Sequence, residues 1–200
     1  MIRVAAFDIG KVLLDFDYGI LIRKIAPRSR LDIDALDRLL NQSPLLAQYE
    51  SGRIGNAEFF KEIQKVTGYN GTQHEFASQF ENIFTPINEV IEMHAQIASS
   101  GFPTWTFSNT NPMAVSHISC AYDFWPRFTG HILSHETGAL KPDPKIYEAL
   151  EAATGCAGGE IAYLDDRPEN IATAKNRGWQ AAQFKTPAQA RRAFVEFGIL

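Results

Sequence analysis

An alternation of β-prone runs and helical patterns from residue 86 onward constrains the fold of this chain more than any other feature. Helices in this stretch have clear start and stop signals, such as Pro168 at the beginning and Gly178 at the end of one of them. Strands joined by helices in this way form parallel sheets with right-handed crossovers. We therefore predict an α/β protein with a doubly wound, Rossmann-type parallel sheet. The strand-like runs are residues 103–108, 131–134, 161–164 and 180–184.

Polar residues suited to chemistry follow several apolar runs. A run at residues 2–7 leads directly into Asp8. Ser108 ends a later run, and the pair Asp165 and Asp166 follows another. In open parallel sheets the active groups gather outside the carboxyl ends of the strands. We therefore expect these four side chains to meet at one edge of the sheet.

Residues 16–84 interrupt the alternation because they read almost entirely as helix. A helical block inserted after the first strand lies beside the strand ends and can act as a lid. We therefore predict a core domain of residues 1–15 and 85–200 and a helical cap domain of residues 16–84. The helical patterns of the cap are residues 19–26, 32–42, 56–66 and 74–84.

Composition narrows the class of protein. The chain has 200 residues, 45% of them hydrophobic, which suits one α/β domain with a smaller insertion. A formal net charge of −4 offers no general attraction to nucleic acid, and the apolar runs fall short of the ~20 residues of a membrane helix. The two cysteines are too few for a disulfide framework. We expect a cytoplasmic protein, a monomer or homodimer, that binds a small molecule.

Four segments together carry a resemblance to a known family. FDIGKV, FSNTN, LKPDPKIY and YLDDRPEN follow one another in this order from residue 7 to residue 170. They resemble the four motifs of the haloacid dehalogenase-like (HAD) hydrolase superfamily, over nearly the whole chain. The closest branch is that of phosphatases with a helical cap after the first strand, including sugar-phosphate phosphatases with an Asp-x-Gly-x-Val first motif. The resemblance implies a Mg2+-dependent phosphatase that hydrolyses a small phosphorylated metabolite such as a sugar phosphate.

The same resemblance implies a nucleophile and a metal site. Asp8 would attack phosphorus and form an aspartyl-phosphate that water then hydrolyses, which divides one difficult displacement into two easier ones. Mg2+ would be held by Asp8, the backbone carbonyl of Gly10 and Asp166, because hard oxygen ligands suit this ion.

Other residues would hold the phosphate and orient the site. The Ser108 hydroxyl and the Asn109 backbone N–H, at the start of the following helix, would donate to phosphoryl oxygens. Lys141 would stabilise the charge that shifts in the transition state, by contacting both the nucleophile and the phosphate. Asp165 and Asn170 would orient the metal ligands or Lys141.

One position departs from the family pattern. Phosphatases of this superfamily usually carry a second aspartate, the general acid and base, two residues after the nucleophile, and here that position is Gly10. Positioned acids typically supply about 10²–10⁴ in rate. An unassisted site is expected to favour good leaving groups, such as anomeric sugar 1-phosphates or aryl phosphates, over alkyl phosphates. The nearest downstream acids that could replace the missing one are Asp15 and Asp17.

Each residue also has a plain structural interpretation. Alone, Asp8 would be a turn former and Lys141 a solvated surface lysine; only the order of the motifs favours chemistry. Two other functions stay open: a 2-haloacid dehalogenase and a non-catalytic phosphate-binding regulatory protein. The paired acids of the last motif disfavour the dehalogenase, because attack on carbon needs no metal, whereas Gly10 favours the regulatory protein. Among the histidines, only His117 follows a motif closely enough to contact a substrate.

Overall fold

A five-stranded parallel sheet forms the centre of the computed structural model, which describes residues 1–80 and 83–200. Its strands and those of a small second sheet are β1 (Val4–Phe7), β2 (Leu14–Phe16), β3 (Phe84–Pro86), β4 (Thr104–Ser108), β5 (Gly130–Leu133), β6 (Ile161–Asp165) and β7 (Gln180–Gln183). The order across the large sheet is β5-β4-β1-β6-β7, and all neighbours are parallel. The predicted doubly wound α/β fold is therefore confirmed.

Helices connect the strands and cover both faces of the sheet. Short 3-10 helices lie at Ala26–Arg28, Trp125–Arg127 and Gly158–Glu160. The α-helices of the described residues are α1 (Tyr18–Ile25), α2 (Ile33–Gln42), α3 (Pro44–Glu50), α4 (Asn56–Thr67), α5 (Gln73–Phe80), α6 (Asn88–Ser99), α7 (Pro112–Ala121), α8 (Ser134–Thr137), α9 (Pro144–Thr154), α10 (Pro168–Asn176) and α11 (Pro187–Glu196).

The composition of β1 explains its central place in the sheet. Its sequence is apolar throughout, as expected for a parallel strand that is buried on both faces. Val4 and Ala6 belong to the hydrophobic core beneath α9 and α10. Ala5 and Phe7 belong to the opposite core, which α6, α7 and α11 cover. Asp8, one residue beyond the strand, is thereby carried to the edge between the two layers.

The strand predictions agree with the structure to within one or two residues, but some helices differ. No helix was predicted over α3, whose sequence PLLAQYE is short, or over the four-residue α8. Ser134, predicted as the end of a strand, begins α8 instead. The helix predicted over residues 74–84 ends at Phe80, residues 81 and 82 lie outside the described residues, and Phe84 belongs to β3.

A two-stranded antiparallel ribbon of β2 and β3 joins the core to the helical insertion. Leu14 pairs with Pro86, and Phe16 pairs with Phe84. The domain boundaries expected at residues 15/16 and 84/85 therefore pass through this ribbon. Strands of three residues carry too little periodicity to be recognised, and these two lie far apart along the chain.

Helices α1 to α5 form the cap, which has a hydrophobic core of its own. Stacked rings hold this core together: the centroids of Tyr49 and Phe59 lie 4.2 Å apart at an angle of 11°. Met113 of α7 packs into the same cluster, so the cap rests directly on the core domain. Among the described residues, the helices are too short or too polar to cross a membrane.

Candidate active site

The ends of three neighbouring strands carry the groups that the sequence analysis singled out. Strands β4, β1 and β6 are adjacent in the sheet. Asp8 directly follows β1, Ser108 ends β4 and Asp165 ends β6. Their exposed fractions are 7%, 1% and 0%, respectively. Parallel strands thus bring three residues that are distant in sequence to one buried edge.

Lys141 connects two of these groups from the loop before α9. Its Nζ lies 3.1 Å from Oδ1 of Asp8 and 2.6 Å from Oδ2 of Asp165, and it donates to the carbonyl oxygen of Phe107 at 2.7 Å. The side chain is 4% exposed. Burial lowers the pKa of Lys141, but the charges of Asp8 and Asp165 outweigh burial and raise it overall. The ammonium is therefore held charged between two carboxylates.

Asp165 is fully engaged in holding this arrangement. Besides Lys141, its carboxylate accepts hydrogen bonds from the Tyr163 hydroxyl, from the Arg167 backbone N–H at 2.8 Å and from Nδ2 of Asn170 at 3.0 and 3.1 Å. Burial raises the pKa of Asp165, but Lys141 and these donors lower it below its ordinary value. The Asp165 carboxylate therefore holds the Lys141 ammonium, and Asn170 in turn holds Asp165.

Asp8 lies at the centre of the site with one carboxylate oxygen already occupied. Oδ1 accepts from the backbone N–H of Ile9 at 2.8 Å as well as contacting Lys141. Burial raises the pKa of Asp8, and the charge of Lys141 and a hydrogen bond with Ser108 counteract that rise. Ser108 thus lies within reach of the carboxylate, next to the position where a group bound to Asp8 would lie.

Asn109 differs from its expected place. The helix after β4 begins at Pro112 with Asn111 as its N-cap, so the backbone N–H of Asn109 precedes the helix by several residues. Its side chain instead accepts from the Lys141 backbone N–H at 2.7 Å and donates to the Lys141 carbonyl oxygen at 3.0 Å. The amide therefore fixes the backbone of Lys141, because a side-chain amide can accept from the N–H and donate to the carbonyl oxygen of the same residue.

Three carboxylates could hold a metal ion. Asp8, Asp165 and Asp166 can each offer an oxygen, and these oxygens lie within 4.8 Å of one another. Because Lys141 and its neighbours already occupy Asp165, Asp8 and the partly exposed Asp166 are the carboxylates left for a cation. Burial and the charge of Asp165 raise the pKa of Asp166, because both disfavour its charged form. This donor set fits Mg2+, which prefers a few carboxylate oxygens and retained waters.

A small cavity of about 50 Å³ lies between this edge and the cap. From the core it is lined by Gly10, Ser108 and Asn109, from the ribbon by Phe16, and from the cap by Tyr18 and Glu50. Pockets for whole small molecules commonly measure ~300–1,000 Å³, so this cavity is smaller than a pocket for a complete substrate. A larger groove of about 510 Å³ runs between α3 and residues 138–143; Lys141 lines this groove, and Asp8 lines neither the groove nor the small cavity.

Three residues considered from the sequence lie away from this cavity. Asp15 is exposed and pairs with Lys11. Asp17 caps α1 by accepting from the Gly19 backbone N–H at 2.7 Å. His117 stacks on Phe84 and lines a different surface pocket. The first two therefore have local structural roles, and neither lines the cavity as a substitute acid.

Two residues of the site were missed in the sequence analysis. Tyr163 lies two residues before Asp165 on the same strand, so period-two alternation could have placed both on one face. Glu50 ends α3, a helix that was not predicted at all. No local signal marks Glu50, because it reaches the cavity only through the docking of the cap.

Comparison with known proteins agrees with this geometry. The chain is 23% identical over 203 residues to the D-ribitol-5-phosphate phosphatase of Bacteroides thetaiotaomicron, and the match covers 96% of each protein. A predicted HAD-like family hydrolase from Porphyromonas gingivalis superposes with a TM-score of 0.80 at 25% identity, over 96% of this chain and 98% of that one.

A HAD family enzyme from Bacteroides thetaiotaomicron, solved in complex with magnesium and inorganic phosphate, also superposes with a TM-score of 0.80. It is 20% identical, and the match covers 92% of this chain and 95% of that one. The sequence profile of the haloacid dehalogenase-like hydrolases matches residues 2–178. Because the profile matches most of the chain and the fold agrees with it, this protein belongs to the haloacid dehalogenase-like hydrolase family.

Proposed function

We propose that this protein is a Mg2+-dependent phosphatase that acts on a small phosphorylated metabolite through an aspartyl-phosphate on Asp8. The observation that carries the proposal is the buried Lys141, which lies 3.1 Å from Asp8 and is fixed by Asp165 at 2.6 Å. A fixed cation beside a carboxylate nucleophile reduces the repulsion between that carboxylate and the phosphate. It also stabilises the charge of the phosphoryl group in the transition state.

The residues divide the reaction between them. A carboxylate oxygen of Asp8 attacks phosphorus, the bond to the leaving oxygen breaks, and an aspartyl-phosphate forms. Lys141 and the Ser108 hydroxyl bind phosphoryl oxygens throughout. Water then attacks the same phosphorus, the bond to Asp8 breaks, and inorganic phosphate is released.

Asp8, Asp166 and the Gly10 carbonyl are the groups that would hold Mg2+ in this proposal. A divalent cation bound there supplies charge neutralisation between the carboxylate and the phosphate. The complex of the Bacteroides enzyme with magnesium and inorganic phosphate supports Mg2+ as this cation. Asp165 and Asn170 contribute by keeping Lys141 in place.

The substrate class we propose is that of sugar and sugar-alcohol phosphates. The similarity to the D-ribitol-5-phosphate phosphatase over almost the full length supports this class. The cavity at the site is smaller than a complete sugar phosphate needs, and the cap lines one part of it. The rest of the substrate would therefore contact the cap. Partners other than this small substrate are not needed for the chemistry.

The test is phosphate release from p-nitrophenyl phosphate, with Mg2+ or with EDTA. We expect turnover that requires Mg2+ and falls to background in Asp8→Asn, because an amide is not an anionic nucleophile. Asp15→Asn is the matched control, since this acid lies on the same segment but is exposed and pairs with Lys11. It should retain wild-type turnover.

Other results would overturn the proposal. Wild-type turnover by Asp8→Asn, in a preparation free of other phosphatases, would exclude Asp8 as nucleophile. Chloride release from 2-chloropropionate in EDTA, abolished by Asp8→Asn, would identify a dehalogenase. Phosphate binding without turnover of any sugar phosphate or sugar-alcohol phosphate would identify a regulatory protein.

A further inference from the structure

We propose that Glu50 of the cap is the general acid and base of this site, in place of the carboxylate that is missing at Gly10. The proposal rests on the phosphatase function given above and adds a catalytic residue to it. Its basis is the position of Glu50 in the cavity, the packing around Gly10 and the contacts that fix the end of α3.

The space beside Gly10 is already filled. A Cβ atom placed on Gly10 would come within 2.9 Å of Cε1 of Phe16, closer than real Cβ contacts allow. The ring of Phe16 therefore occupies the volume into which a side chain at position 10 would project. An acid for the leaving group has to come from another element.

Glu50 is the one acidic residue among the described residues that line the cavity. It belongs to the cap, whereas Ser108 and Gly10 line the cavity from the core domain. A phosphoryl group held by Ser108 and Lys141 would direct its leaving oxygen away from Asp8, because attacking and leaving oxygens lie roughly in line. The cap side is where that oxygen emerges.

Three contacts fix the end of α3 against the core domain. The Ser134 hydroxyl donates to the carbonyl oxygen of Glu50 at 2.5 Å, and the hydroxyl of Tyr49 accepts from the backbone N–H of Met113 at 3.2 Å. Gly52 has φ of 69° and passes so close to the carbonyl oxygen of His135 that a Cβ atom there would overlap it. Ser134 also accepts from the backbone N–H of Thr110, two residues beyond Ser108. Glu50 is thereby positioned relative to the phosphate-binding segment.

The surroundings of Glu50 suit proton transfer near neutral pH. Burial raises the pKa of Glu50 to about 7, and the charge of Arg167 counteracts that rise. The phenol of Tyr18, whose own pKa is raised by burial and by Glu50, faces it from α1. A general acid works best when its pKa lies near the operating pH.

The proton balance of the proposal is complete. In the first step the bond between phosphorus and the leaving oxygen breaks, its electron pair stays on that oxygen, and the proton of the Glu50 carboxyl converts the oxygen to an alcohol. In the second step the Glu50 carboxylate takes a proton from the attacking water. Phosphate leaves, and both Asp8 and Glu50 return to their starting states.

The experiment compares the wild type with Glu50→Gln on phenyl phosphates of one shape whose ring substituents change only the pKa of the leaving phenol. The measured quantity is kcat/KM, which reports phosphoryl transfer to Asp8 and not the later hydrolysis that is common to all substrates. On p-nitrophenyl phosphate the kcat/KM of the glutamine variant should stay within a few-fold of the wild type, whereas on unsubstituted phenyl phosphate it should fall by about 10²-fold, so that it declines more steeply with leaving-group pKa. Glu58→Gln, an exposed glutamate in the first turn of α4, should follow the wild type throughout.

A second readout needs only the wild-type enzyme. The kcat/KM for phenyl phosphate should fall above about pH 7 as Glu50 loses its proton, whereas p-nitrophenyl phosphate should show a weaker decline. Glu50→Gln should lack this alkaline decline. The pH profile keeps the proposal testable if the glutamine variant fails to fold.

Each outcome separates the two proposals. Equal slopes for the wild type and Glu50→Gln, or equal losses on every phenol, would overturn the acid role and assign Glu50 to substrate binding or to cap docking. An identical alkaline decline for both substrates would also overturn it. The phosphatase proposal stands in either case if turnover needs Mg2+ and Asp8, and absence of wild-type turnover on all phosphates overturns both.

Discussion

The core domain and the cap differ in how firmly they hold the groups of the site. On the core side, Lys141 is 4% exposed and contacts Asp8, Asp165 and Phe107 at 2.6 to 3.1 Å. On the cap side, a few contacts at the end of α3 fix Glu50, which is itself partly exposed. The nucleophile therefore belongs to a rigid network, whereas the group proposed to protonate the leaving oxygen depends on domain docking.

The free-energy cost of disturbing the two domains also differs. A buried charged group whose partner is removed costs about 3–5 kcal/mol, because the remaining charge is left uncompensated. The interlocked Asp8, Lys141 and Asp165 are subject to that penalty. The cap has a hydrophobic core of its own, which contacts the core domain through Met113. Such an arrangement suits a lid over a fixed site.

The largest effect is expected from breaking the core side. Lys141→Ala should lower kcat/KM for p-nitrophenyl phosphate by about 10²–10³, the usual loss for one group that stabilises transition-state charge. Lys145→Ala is the matched control, because Lys145 is exposed on α9 only four residues away. Steady-state kinetics of both variants, with circular dichroism to confirm folding, measure the difference. Equal and small effects would remove Lys141 from the site.

Acid should weaken the core before it weakens the cap. Burial lowers the pKa of His94 to about 4 from 6.5, and this residue packs against Phe128 and bonds to Thr104 at 3.0 Å. Since the folded state takes up this proton less readily than the unfolded chain, its contribution to stability is complete above pH 6.5. It is lost between pH 6.5 and about 4, by ~3 kcal/mol.

The contrast with the cap makes this prediction specific. The Arg28 guanidinium lowers the pKa of Glu75 to about 2, so that pair stays ionised over the same range. Denaturant unfolding at pH 7 and pH 4 measures the loss in the wild type and in His94→Gln, which keeps a partner for Thr104. The variant should lose less stability on acidification, and an equal loss in both proteins would exclude His94 as the cause.

The smallest effect is expected from disturbing the docking of the cap. Gly52→Ala adds a Cβ atom against the His135 carbonyl, and Gly101→Ala adds one at a similar φ of 78° where nothing lies within 4 Å. Both variants should lose about 1 kcal/mol of stability from the left-handed backbone, and Gly52→Ala should lose more because the His135 backbone has to move. Only Gly52→Ala should also lose activity on phenyl phosphate, by about tenfold, because Glu50 is displaced. Identical kinetics for the two variants would show that the contact does not position the acid.

Much of the fold and part of the site could be predicted because their signals are local. Apolar runs followed by polar residues placed Asp8, Ser108 and Asp165 at strand ends, and prolines and glycines marked the helices of the core. The ribbon of β2 and β3 was not recognised, since each strand is three residues long and its partner is remote in sequence. The role of the Asn109 side chain was missed for the same reason, because its partner is the backbone of Lys141.

The sequence by itself determined the alternation of strands and helices in the core domain, the family and the residues that meet at the strand ends. Tertiary structure decided that Phe16 fills the space beside Gly10 and that Glu50, rather than Asp15 or Asp17, lines the cavity. The physical reason is that periodicity and helix capping are local signals, which depend only on residues a few positions apart in the sequence. The position of Glu50 depends on the packing of the whole cap against α7 and α8, which no local pattern encodes.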